Sequence, residues 1–229
     1  MPHSRHLQML LIFVGLLSTQ AFSQQFGRNK PNYEKFDFKV KKSPHFELYH
    51  YLDNDSLTEA LALGSEEWYK AHQKILKDTF EQRNPLIFYA NHADFWQTDA
   101  LMGSVGIGTG GVTESLRNRV MMPVMELNSQ TSHVLGHELV HAFQYELLRN
   151  KEDSLSLSDI QRLPLWMVEG LAEYLSIGNV DAHTAMWMRD ALRENDFPTL
   201  KQMTRDRKYF PTGTGRPSGL LSRVCTVTL

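Results

Sequence analysis

Cysteine is nearly absent from the chain. Cys225 is the only one in 229 residues, which excludes an internal disulfide framework and any structural zinc site built from several thiolates. Charge of one sign is not in excess either. Lysine and arginine total 24 against 26 acidic residues, a formal net charge of -2, so there is no electrostatic footprint for nucleic acid or an anionic membrane surface. A membrane span needs about 20 apolar residues, and the apolar run near the start, Met9 to Leu17, has nine. Internal repeats are missing. The glycine-rich stretch from Gly103 to Val112 lacks the Gly-Lys-Ser/Thr ending of a phosphate-binding loop.

The remaining composition, 41% hydrophobic and 22% charged, is that of an ordinary globule with both helices and strands to build. Residues 1–23 combine Arg5, the short apolar run and the small-x-small end Ala21-Phe22-Ser23. That is the pattern of a secretory signal cut after Ser23. The mature protein is therefore expected outside the cytoplasm, periplasmic or extracellular, with no membrane span after cleavage. Residues 24–42 are basic and read as a solvated linker or a loosely attached first strand.

The richest stretch is His133-Val134-Leu135-Gly136-His137-Glu138-Leu139-Val140-His141-Ala142-Phe143-Gln144. Its apolar residues recur at helical spacing, which puts His137 and His141 one turn apart on the same face, where both imidazoles can reach one ion. Two imidazole nitrogens fill half of a tetrahedral zinc site, and a catalytic site adds one more protein ligand and a water. Glu138 is too close to His137 to ligate easily but well placed to take the water's proton as general base. Ser132 or Thr131 is expected to cap this helix, which should run to about Leu148. His133, one turn before His137, reads as first-turn packing.

Downstream, Leu165 to Leu175 is a second helical run behind Pro164, with Glu169 and Glu173 at i and i+4 on one face. Glu169 can serve as the third ligand, with Glu173 hydrogen-bonding a ligand histidine from behind. A polar insertion, Asn150 to Gln161, separates the two runs.

Together the two runs resemble the gluzincin zinc metallopeptidases, and more narrowly the bacterial peptidase-MA-like domains related to aminopeptidase N. The resemblance covers about residues 40–211 and is densest from 131 to 176. It implies an α+β, zincin-like domain over residues 43–211, with a small mixed sheet followed by a helical part carrying both motif helices. It also implies Zn2+ held by His137, His141 and Glu169, Glu138 as general base, and a peptide or protein substrate. The 27 residues between His141 and Glu169 exceed the spacing in aminopeptidase N itself. In such a fold a peptide pairs with the free edge of the strand bordering the cleft. The glycine stretch followed by Arg119 to Met125 suits that hairpin.

Other segments carry simpler expectations. His45 to Tyr51 alternates as a strand whose histidines, His45 and His50, face opposite ways. A helix is expected from about Leu57 to Phe80, with Leu61, Trp68, Ile75 and Leu76 buried and His72 on the surface. Leu86 to Ala90 reads as a buried strand and Asn91 to Asp94 as a polar loop in which His92 and Asp94 are not ligands. A further helix over Ala182 to Glu194 carries Met186, Trp187, Met188 and Leu192 for packing, with His183 exposed.

Residues 212–229 have neither helical nor strand periodicity. In the family this region carries a helix resembling Tyr-Arg-Tyr-Gly-Gln-Ala-Phe-Trp, whose tyrosine supports the oxyanion, and a β-propeller often follows. One base restored within the Pro211 codon lets the codons up to Gly219 read as that motif, so the tail is expected to be out of frame. The competing reading is a catalytically impaired zinc- or peptide-binding remnant. A deformylase-like hydrolase would need Cys225 as third ligand.

Overall fold

The structure, a computed structural model, describes residues 34–101, 105–106, 108–149, 163–195, 199 and 201–202. The leader, residues 24–33, Gly103, Ser104, Ile107, the insertion at 150–161, Pro211 and the tail lie outside the described residues. What is described falls in one compact unit that begins at Asn32.

Strands form where apolar residues alternate. β1 (Lys39–Lys42), β2 (Phe46–His50), β3 (Asn84–Tyr89), β4 (Val112–Glu114) and β5 (Arg119–Pro123) make one mixed sheet in the order β1-β2-β3-β5-β4. β2, β3 and β5 are parallel; β1 and β4 close the two edges antiparallel. Leu48 pairs with Leu86, and Leu86 with Val120, so these side chains form one row on one face. That row, with Phe46, Phe88 and Met122, is sealed by Leu61, Tyr69, Leu135, Leu139 and Phe143 from two long helices. The fold is thus mixed α+β with a small mixed sheet and helices.

The other face carries Ile87, Tyr89 and Met121, covered by Phe36, Phe38, Phe95 and Val105. The end of the 24–42 segment is therefore no solvated linker: Phe36 stacks on Tyr51 at 4.6 Å between ring centres, and Lys39–Lys42 pair as β1. Aromatic burial outweighs the basic letters around it.

Helix α1 (Asp55–Leu76) starts where Asn54 accepts the Leu57 N–H at 3.0 Å and ends at Lys77, which is left-handed with φ 58°. The expected end near Phe80 is thus too late. Its buried stripe is Thr58, Leu61, Ala62, Ser65, Tyr69 and His72, while Ile75 is 57% exposed. His72, expected on the surface, has no exposed area. It is in phase with Leu61, Ser65 and Tyr69, and its Nε2 donates to the Gly136 carbonyl at 2.9 Å.

Asn91 caps a short helix, α2 (His92–Phe95), where a loop was expected. Its polar side chains are engaged, with His92 on the Thr109 carbonyl and Asp94 accepting from Tyr51. α3 (Asn128–Arg149) carries the histidine motif and begins a turn before the expected cap. Thr131 and Ser132 lie inside it, accepting from the Met125 N–H and from Trp68 Nε1 respectively. α4 (Leu165–Ile177) carries Glu169 and Glu173 and has Pro164 as its N-cap. α5 (Ala182–Arg193) is capped by Asp181, and its Met186 and Leu192 are exposed rather than packed. The side chains of His183 and Trp187 lie outside the description. Among the described residues, no helix is long and apolar enough to cross a membrane.

Candidate metal centre

Gly136 sets how closely α3 approaches α1. A Cβ there would lie 2.8 Å from Trp68 Cε2 and 2.9 Å from Cζ2, so only glycine lets the indole lie flat against the helix. Trp68 in turn donates to Ser132 Oγ at 3.1 Å, and His72 holds the Gly136 carbonyl. The motif helix is thereby pinned from behind, with His137 and His141 turned away from the core toward α4.

α4 crosses that face and presents Glu169 to both rings. His137 Nε2 and His141 Nε2 are 3.1 Å apart, and Glu169 Oε2 is 3.3 Å from the first and 3.4 Å from the second. The three atoms form a nearly equilateral triangle, and this group of two histidines and a carboxylate could hold a metal ion.

Each imidazole is oriented through its other nitrogen. His141 Nδ1 donates to Gln144 Oε1 at 2.8 Å, and Gln144 Nε2 donates to the Val168 carbonyl at 3.1 Å. The amide is thereby fixed with its oxygen toward His141, and Nε2 is left with its lone pair inward. His137 Nδ1 lies 3.4 Å from Glu173 Oε1, and the other oxygen of Glu173 is 3.0 Å from His133 Nε2. His133 therefore does more than first-turn packing: with His137 and Glu173 it makes a second His/Glu group of metal-ligating type. His45 and His50 are elsewhere, the former held by Glu66 at 2.6 Å.

The donors set one another's protonation. Burial pushes the His137 imidazole down, but the carboxylates of Glu169 and Glu173 outweigh it and raise it to about 10. Burial likewise opposes, and Glu169 likewise raises, the His141 ring. Burial pushes the Glu169 carboxyl up, yet the two histidines hold it well below the ordinary range. These are the mutual shifts expected where imidazoles and carboxylates pair in a buried cluster.

Glu138 faces a different neighbour. It is 6% exposed, and its Oε2 accepts from Thr113 Oγ1 of β4 at 2.7 Å. A Cβ on Gly111 would lie 2.8 Å from Glu138 Cγ, so the segment leading into β4 presses directly on this side chain. β4 is one of the sheet's two edge strands. Tyr145, two turns from Glu138 on the same helix face, is pushed up by burial and further by Glu138, Glu169 and Glu114.

Thus the structure brings together all five residues singled out in the sequence: His137, Glu138, His141, Glu169 and Glu173. Sequence reasoning missed Gln144, Thr113, Gly111 and the role of His133. The i+3 spacing from His141 could have flagged Gln144; nothing local flags Thr113. Comparisons with protein-family models, with curated proteins and with solved structures find no match to this chain.

Proposed function

We propose that the chain is a zinc-dependent metallopeptidase of zincin-like fold, with His137, His141 and Glu169 as ligands and Glu138 as general base. One observation carries this reading. Donors about 2.0 to 2.2 Å from a tetrahedral zinc lie about 3.3 to 3.6 Å apart, and the three donors here are separated by 3.1, 3.3 and 3.4 Å. Nitrogen and carboxylate donors without sulfur suit zinc in a catalytic rather than a structural role.

Bound zinc would supply a Lewis acid and lower the pKa of a water to about 7. The chain's own residues do the rest. Glu138 takes the proton of the attacking water and passes it to the leaving amine nitrogen. An extended peptide lies along the outer edge of β4, its backbone paired with that strand. Gln144 and Glu173 hold the two imidazoles in the tautomer that binding requires. Export belongs to the same proposal and is supported by the leader pattern of residues 1–23.

Two variants separate binding from chemistry. Glu169→Ala should strip zinc at equilibrium, read by metal analysis after dialysis. Glu138→Gln should keep zinc and lower peptide cleavage by about 100- to 10,000-fold. Full zinc occupancy in Glu169→Ala would remove the ligand assignment. Zinc binding by the wild-type chain without any cleavage would instead mark a non-catalytic zinc-binding domain.

A further inference from the structure

Glu138 and Thr113 come from elements that meet only in the folded chain. Thr113 Oγ1 is 2.7 Å from Glu138 Oε2 and 2.9 Å from the Glu138 carbonyl oxygen. A hydroxyl has one proton to give. The carbonyl already accepts the helical N–H four residues on, and an ionised carboxylate is the stronger acceptor, so the proton goes to Oε2. Both side chains are buried, at 8% and 6% exposure, so water does not replace this bond. Gly111, two residues back on the same segment, closes the other flank: a Cβ there would lie 3.0 Å from Glu138 Oε1.

We infer that Thr113 is a positioning residue for Glu138, its hydroxyl fixing Oε2 so that Oε1 is the oxygen left to take the proton of the attacking water. The inference rests on the reading of Glu138 as general base. The hydroxyl sits on edge strand β4, whose outer side pairs with no other strand among the described residues. One strand therefore seats the substrate and aims the base. Seating a peptide and orienting Glu138 are coupled through three residues of backbone.

The test uses the full chain loaded with zinc and two near-isosteric variants. Thr113→Val removes the hydroxyl and keeps the shape; Thr113→Ser keeps the hydroxyl. Zinc affinity should be unchanged in both. The binding probe is acetohydroxamic acid, which gives its N–O–H proton to the neighbouring carboxylate as it binds as acetohydroxamate. Its dissociation constant should rise about tenfold in Thr113→Val and stay within about twofold in Thr113→Ser. Peptide cleavage should follow the same order, with the loss in kcat rather than KM. Equal acetohydroxamate affinity in Thr113→Val and wild type would overturn the inference. So would a Thr113→Ser as impaired as Thr113→Val, because packing and not the hydroxyl would then be at work. If the wild type binds zinc and acetohydroxamate but cleaves no peptide, the peptidase reading falls while the hydroxamate comparison still decides the role of Thr113. A wild type that binds no zinc removes both.

Discussion

At the scale of single residues, the candidate site is a set of imidazoles whose outward nitrogens are all spoken for. Gln144 holds His141 and Glu173 stands behind His137, at 2.8 and 3.4 Å. Loss of such supporting partners typically costs 10- to 100-fold in metal affinity. Protons compete with the metal for the same atoms. With His137 raised to about 10 in the metal-free chain, its ring is protonated at pH 7, and zinc binding must expel that proton. Affinity should therefore rise with pH, by up to about tenfold per unit for each proton released. Calorimetry in buffers of different ionisation enthalpy should detect release of at least one proton at pH 7; release of none would contradict the ion-paired cluster. The two histidines of the candidate site were legible because helix spacing alone brings His137 and His141 together. Glu169 was legible because an acid among apolar residues needs a partner. Gln144 lies within the same reach, three residues after His141, but an amide on a helix surface is ordinary and carries no signal of its own.

Elements explain what the letters could not. The two motif helices read clearly because each repeats its apolar residues at helical period, and α5 was placed within one residue of its end. The hairpin expected from the glycine stretch followed by Arg119 to Met125 is present as the antiparallel pair β4 and β5, but its turn has no Asn-Gly or Asp-Gly signal that would have placed it. Its turn is held instead by tertiary bonds. Asn118 takes a positive φ of 52° and donates to the Ala142 carbonyl at 3.0 Å. Arg149 reaches the Ser115 and Leu116 carbonyls from the end of α3. These bonds clamp β4 along the motif helix and bring Thr113 to Glu138. On the opposite side, Gly136 fixes the α1–α3 approach. Gly136→Ala should gain up to about 1 kcal/mol of helix propensity but overpack Trp68, at a cost of about 1 to 3 kcal/mol. The net expectation is a lower Tm together with weaker zinc binding. A Tm at or above wild type would show that the indole gives way freely.

Among the described residues, a five-stranded sheet carries α1 and α3 on one face and an aromatic layer on the other. The acid stability of the molecule should bear the mark of His72. This ring was misread because its polar letter disguised a core position, and period alone, with Leu61, Ser65 and Tyr69 in phase, would have placed it inside. Burial holds His72 below its ordinary pKa of 6.5, with the Gly136 hydrogen bond opposing. In the unfolded chain the ring takes up a proton near pH 6.5, while in the folded chain it stays neutral. Its contribution to stability is therefore complete above pH 6.5 and is lost as pH falls, by up to about 1.4 kcal/mol per unit. His72→Gln removes this titration, so the stability gap between wild type and variant should narrow from pH 7 to pH 5 in denaturant melts; a constant gap would contradict it. The central claim is the ligand set, and X-ray absorption of the zinc-loaded chain tests it most directly. The account predicts one zinc per chain with the scattering signature of two imidazoles and the remaining ligands oxygen, at about 2.0 to 2.2 Å. A sulfur shell at about 2.3 Å, or fewer than two imidazoles, would contradict it.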